Sequence, residues 1–172
     1  VFSGYFRPHV AQAFVLTERV LARATTCLIA VSESVRREVQ AAGVGRRTRF
    51  EVIPLGLNLA PFADAGAQRG GLRASLGLPP DALVVGFVAR LAPIKAPSLL
   101  LDVASRVVAD EPRAQFVVAG DGELRAEVEA RIVHLGLADR VHLLGWRGDL
   151  PAVYADCDLV MLTSRNEGSP VA

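Results

Sequence analysis

The chain has almost no net charge to offer a polyanion. In 172 residues, 19 Lys plus Arg stand against 18 Asp plus Glu, a balance of +1. Proteins that hold nucleic acid draw much of their affinity from phosphate contacts and carry a basic excess, so no nucleic-acid partner is expected. Long apolar runs are missing too. The mean hydropathy of +0.33 is high, but it arises from short stretches at 27–31, 82–89, 114–119 and 159–162. Each is far below the ~20 residues that cross a bilayer as a helix. No basic segment precedes an apolar stretch, so no signal peptide is expected. Two cysteines make no disulfide framework; Cys27 and Cys157 read as buried free thiols of a reducing, cytoplasmic compartment. Fifteen Gly and ten Pro are near the average share, which excludes collagen-like and low-complexity classes. His9, His134 and His142 lack metal-ligand spacing. Neither G-x-G-x-x-G nor a P-loop lysine is present. The chain starts at Val1 rather than Met and stops at Ala172, and a fragment is expected.

What is present is globular: 51% hydrophobic and 22% charged residues. Short β-branched apolar runs read as strands buried on both faces, the habit of parallel sheets. Helical spacing covers 10–24, a strand 26–31, and Ser32 is placed as N-cap of a helix over 33–42 that Gly43 stops. A strand at 50–53 ends at Pro54. Residues 55–71 show little periodicity and read as a linker. Then the order becomes regular: helix 72–76, strand 83–89, a helix capped by Ser98 to about 109, strand 115–119, helix 123–135, strand 141–144, helix 150–155, strand 159–162. Alternating strands and helices predict a parallel sheet with crossover helices.

In open parallel sheets the ligand lies beyond the carboxyl ends of the strands. Four loops reach that edge. The first carries Arg90 and Lys95, which suit a diphosphate or are simply solvated cations. The second is Gly120-Asp121-Gly122, read as running straight into a helix. Its glycines let backbone approach an anion at a helix N-terminus, or serve a tight turn. The third holds the sole Trp, Trp146, with Arg147; the ring either flanks a nucleobase or packs on the domain. The fourth is 163–170, where Glu167 precedes Gly168 and Ser169. If a helix starts there, its free N–H groups and the carboxylate can grip phosphate and sugar together; the alternative is a capping Glu on a surface turn. Asp156-Cys157-Asp158 has the D-x-D form of a metal motif but enters a strand, at the opposite edge, and a structural role is expected.

In order and spacing, GFVARLAPIK (86–95), FVVAGDGEL (116–124), RVHLLGWR (140–147) and YADCDLVMLTSRNEGSP (154–170) resemble the retaining glycosyltransferases of family 4, of GT-B fold. LIAVSESVRRE (28–38) and VIPLGLNL (52–59) look like the end of that family's N-terminal domain and its linker. The resemblance implies an α/β chain of GT-B type: a remnant of a Rossmann-like acceptor-side domain (1–56), a linker (57–71) and a donor-binding domain (72–172) with a Rossmann-like parallel sheet and helices on both faces. It implies a nucleotide-diphosphate sugar as donor, a glycan or lipid-linked acceptor, retention of configuration and no metal or other cofactor. Arg90 and Lys95 match the positions that neutralise the leaving diphosphate, and Glu167 the first of two glutamates. Gly168 and Ser169 match the turn that contacts sugar and phosphate. Gly120 and Gly122 lie on the same donor edge, Trp146–Arg147 falls where the base is read, and Gly56 matches the linker glycine. Ala96 stands where the family has Gly, and the second glutamate falls beyond Ala172, so weak or no activity is expected of these residues alone.

Two alternatives stay open: a nucleotide-sugar epimerase of the same fold, and a non-catalytic nucleotide-binding module. Arg36, Arg37, Arg46, Arg47 and Arg49 cluster in the N-terminal part. That cluster is either peripheral contact with the inner membrane face or a solvated basic surface.

Overall fold

The computed structural model describes residues 8–172; residues 1–7 of the expected 1–56 segment lie outside it. Two compact units emerge. One comprises the described residues up to Leu57 with Arg165–Val171, the other Asn58–Ser164 with Ala172.

The first unit contains helix α1 (Pro8–Leu21), strand β1 (Cys27–Ala30), helix α2 (Glu33–Ala41) and strand β2 (Arg49–Val52). The strands pair in parallel, Cys27 opposite Arg49 and Ala30 opposite Val52. Ser32 caps α2 as its spacing demands, its extended backbone letting Oγ accept the Val35 N–H at 3.3 Å. A strand covered on both faces is not what β1 turns out to be. Ile29 is 66% exposed, because among the described residues no second layer covers that face.

The second unit contains α3 (Ala60–Ala63), a 3₁₀ turn at Ala65–Gln68, α4 (Gly71–Ser75), β3 (Leu83–Val88), α5 (Pro97–Asp110), β4 (Ala114–Ala119), α6 (Arg125–His134), β5 (Val141–Gly145), α7 (Leu150–Asp156) and β6 (Leu159–Val160). The sheet runs β5-β4-β3-β6 with every pair parallel. Side-chain alternation sorts its two faces. Phe87, Phe116 and Val118 pack with Leu100, Leu101, Val128 and Ile132 of α5 and α6. Val84, Val117 and Ala119, of opposite parity, join two clusters with Leu72 and Leu76 near α4 and Leu150 and Val153 of α7. Helices therefore cover both faces, and every residue of β4 is buried. Burying each such aromatic or branched side chain contributes roughly 1.5–3 kcal/mol.

Several expectations are corrected. The stretch read as irregular holds α3 and the 3₁₀ turn, with the Phe62 ring 5.8 Å from that of Tyr154. Ser98 does not cap α5: Ala96 does, in the left-handed conformation (φ 46°), with Pro97 as first helical residue. Proline's fixed φ and absent N–H suit that position without a side-chain cap. Helix α6 begins at Arg125, not at 123. Strand β6 has two residues, both exposed, where four buried ones were expected. Both cysteines are half-buried rather than buried.

Asp156-Cys157-Asp158 is structural. Asp156 is fully buried, and its carboxylate accepts the N–H groups of Gly70, Leu72 (2.7 Å) and Arg73 (3.1 Å) at the start of α4. Asp158 accepts from Arg69 and Arg73, each at 2.6 Å, and from Val84 N–H at 2.8 Å. Partial burial raises the Asp158 pKa, but these hydrogen bonds outweigh it and hold the carboxyl down at about 2. Among the described residues no group of three His, Cys, Asp or Glu is placed to hold a metal, and no helix is long and apolar enough to cross a membrane. His142 meets Gln115 at 2.9 Å across β5 and β4, and burial lowers its pKa.

Candidate functional site

Within the second unit the loops after β3, β4 and β5 are knitted together by backbone. Ala89 N–H donates to Ala119 O (3.1 Å), Leu91 N–H to Asp121 O (3.0 Å), Leu124 N–H to Leu91 O (3.0 Å) and Gly120 N–H to Gly145 O (2.8 Å). These bonds draw the chains too close for side chains. A Cβ on Gly120 would overlap the Ala89 carbonyl, and one on Gly122 would lie 2.6 Å from Leu91 O. Both glycines are thus required by loop-to-loop contact. The direct run from Gly122 into a helix does not occur, since residues 123–124 form a turn before α6.

The β3 loop buries Leu91, Ala92 and Ile94 and leaves Arg90 exposed. The 3₁₀ turn Pro93–Lys95 follows, then Ala96 at positive φ. Thr163 Oγ1 reaches the carbonyls of Lys95 (2.8 Å) and Ala96 (3.1 Å). A left-handed alanine costs about 1–2 kcal/mol. The Thr163 hydroxyl ties down this turn, so Ala occupies a position whose backbone favours Gly.

Beyond β5, Trp146 is 80% exposed; it projects from the loop rather than packing on the domain. Its ring passes beside Gly148, where a Cβ would come within 3.4 Å. Arg147 is paired with Asp149 through Nε at 2.7 Å and a second guanidinium nitrogen. That pairing raises the arginine pKa and lowers that of the carboxyl.

Arg90, Gly120, Trp146 and Arg147 line one cavity of about 390 Å³, together with Ala89 and Asp121. That volume is in the range of small-molecule sites. Lys95 and Gly122 belong to the same loops but do not line it. The charges differ in availability. Arg147 faces Asp149, and Arg125 faces Asp121 and Glu129. Among the described residues Arg90 has no ion pair, so a cavity-lining cation stands ready for an anion. Asp121 was legible only as the middle of a Gly-x-Gly turn. Here its carboxylate accepts the Gly122 N–H at 2.8 Å and faces Arg125 at 3.1 Å.

The remaining candidates lie in the first unit. Ser32 Oγ donates to the Gly168 carbonyl at 2.7 Å. A Cβ on Gly168 would approach Val35 at 3.3 Å and Val31 at 3.4 Å. Residues 161–172 contain no helix, so the helix N-terminus expected after Glu167 is not formed there, and Gly168 and Ser169 sit in a bend. Gly56 is exposed with open space around it.

Residues 68–172 match the model of a protein family described as glycosyl transferases group 1. The UDP-Gal:alpha-D-GlcNAc-diphosphoundecaprenol alpha-1,3-galactosyltransferase of Escherichia coli is 35% identical over 128 residues, 72% of this chain and 33% of that protein. The putative glycosyltransferase EpsF of Bacillus subtilis (strain 168) is 30% identical over 171 residues, 92% of this chain and 44% of the relative. Among solved structures, Anabaena Alr3699/HepE in complex with UDP and glucose superposes with a TM-score of 0.77 at 28% identity, over 91% of this chain and 43% of that one. The chain spans roughly a third to under a half of the length of these relatives. The α/β architecture, a parallel sheet with helices on both faces, is that of GT-B glycosyltransferases.

Proposed function

We propose, from the premise that the chain belongs to the group 1 glycosyl transferases, that it is the donor-binding part of an enzyme that moves a sugar from a nucleoside diphosphate to an acceptor hydroxyl. The observation that carries this is the cavity at the carboxyl edge of β3, β4 and β5, with projecting Trp146 and Arg90, which has no ion pair among the described residues, on its wall. Transfer breaks the bond between the sugar anomeric carbon and the diphosphate, leaving the electron pair on the diphosphate oxygen. The acceptor oxygen bonds to that carbon and gives up its proton. Charge grows on the leaving group, and a fixed guanidinium aimed there lowers the barrier without reorganising. Arg90 fills this role, Lys95 assists it as a second cation, and Trp146 flanks the base with Arg147 steadied by Asp149. Gly120 and Gly122 shape the donor loop. Glu167, Gly168 and Ser169 serve the sugar and Gly56 the linker.

The finer reading is a family 4 enzyme acting with retention, with residues 1–56 as acceptor-side remnant, 57–71 as linker and 72–172 as donor domain. Its acceptor is a glycan or lipid-linked sugar, the E. coli relative being named for a diphosphoundecaprenol-linked one. It works in the cytoplasm with peripheral contact at the inner membrane face. HepE was solved with UDP, which makes UDP the first ligand to test. Calorimetric titration of UDP into the chain gives measurable binding, weakened at least about tenfold in Arg90→Ala through loss of a charge-assisted contact. The melting temperature of that variant stays within about 1 °C, as for an exposed, unpaired side chain. Absence of binding to UDP, GDP, ADP and CDP alike refutes the proposal.

A further inference from the structure

The first unit holds a groove of about 550 Å³ with Arg19, Arg23, Arg46, Arg47 and Arg49 on its walls and no carboxylate among the lining residues. The topology explains why it exists. Helices α1 and α2 both end beside the amino ends of the parallel strands β1 and β2, so two helix-to-strand turns converge there. Thr48 Oγ1 ties the turns by donating to Ala22 O at 2.8 Å. Gly45, at φ +65°, closes the floor, where a Cβ would lie 2.5 Å from Leu28 Cδ1.

Local structure does not absorb the charge. Arg49 faces Glu51, and Arg19 Nε donates to Ala42 O at 2.8 Å, at the end of α2. Each helix C-terminus supplies about half a negative charge. Against five guanidiniums, these terms leave roughly three positive charges in one concave site. Arg23, Arg46 and Arg47 make no ion pair among the described residues. The imbalance is local, since the whole chain carries only +1. Guanidinium forks match the paired oxygens of a phosphate group, and water in a groove screens such clustered charge less than on an open surface.

We propose that this groove binds phosphate groups, either a free phosphate or the headgroup of an anionic lipid. The proposal does not rest on the donor cavity, because every residue it uses lies in the first unit and none of them lines that cavity.

The test uses isotope-labelled chain, observed by amide NMR while inorganic phosphate is added, and flotation with phosphatidylcholine vesicles with or without phosphatidylglycerol. Saturable shifts at the amides of Gly45 and Thr48 are expected, weakened at least about tenfold in Arg46→Ala/Arg47→Ala. If phosphatidylglycerol vesicles also capture the chain, and phosphate or the double substitution releases it, the source is the lipid headgroup. If phosphate saturates the site and vesicles do not capture the chain, the source is free phosphate. Neither phosphate saturation nor flotation, shifts confined to the Gly120 and Trp146 amides, or binding unchanged in the double variant each overturns the proposal. Amide spectra that match the wild type elsewhere establish that the variant is folded.

Discussion

Replacing Asp156 by Asn separates a structural carboxylate from a metal-binding one, and the structure sets the size of the effect. Asp156 is fully buried and accepts Gly70 N–H on one oxygen and Leu72 and Arg73 N–H on the other. An asparagine has one acceptor oxygen and one donor nitrogen. In its better orientation the oxygen keeps Leu72 and Arg73, and the amide nitrogen faces the Gly70 N–H. That orphaned donor costs about 1–3 kcal/mol, and the two retained bonds lose their charge assistance, about 1 kcal/mol each. Arg73 Nε also loses a carboxylate at 3.8 Å. The sum is about 3–5 kcal/mol, which at roughly 2–4 °C per kcal/mol for a chain of this size lowers the melting temperature by on the order of 10 °C. Thermal unfolding followed by circular dichroism reads this directly. A loss under about 2 °C refutes the buried-cap argument. So does a wild-type melting temperature that rises with Mg²⁺ or Mn²⁺ and a variant in which that rise disappears, because the pair would then be a metal site.

Trp146→Ala leaves the melting temperature within about 1 °C, since the ring is exposed. It weakens UDP binding by on the order of tenfold, the scale of one lost base–aromatic stack; unchanged affinity by calorimetry removes the ring from the base site. Burial pushes the Cys157 thiol up to about 11. In Cys27→Ser at pH 8 the folded chain should therefore react with a soluble aromatic disulfide about 100-fold more slowly than the unfolded chain. Equal rates refute the shift. The Asp158 carboxyl sits at about 2 in the folded state, below its ordinary 3.8. Its contribution is present above about pH 4 and is lost as the pH falls toward 2. Urea midpoints across that window fall less steeply in Asp158→Asn; identical slopes refute the assignment.

The repeating strand–helix order of the second unit follows from the sequence because its signals are local. Apolar runs of five or six residues, amphipathic spacing and glycines at helix ends act over one or two turns of chain. They locate β3, β4, β5, α5 and α7 to within one or two residues at most ends, and put Arg90, Gly120, Trp146 and Arg147 in the loops that follow the strands of one sheet. Ser32 as cap of α2 is legible for the same reason. Long-range contacts decided the rest. The start of α4, one residue earlier than its spacing suggests, is held by a buried carboxylate more than 80 residues away. Whether Gly120 and Gly122 meet a ligand or a neighbouring loop depends on where Ala89 and Leu91 lie, which no spacing encodes. The availability of Arg90, against the pairing of Arg147 and Arg125, is a matter of which carboxylates the folded chain brings within reach. Charge counting found arginines along the N-terminal segment, but Arg19 and Arg23 joined Arg46, Arg47 and Arg49 only when two helix ends met the same strand edge. Composition and periodicity determined the α/β class and the sheet edge at which the loops after β3, β4 and β5 gather. Tertiary structure decided which of the residues there are structural and which remain free to bind, because only packing brings distant donors and acceptors together.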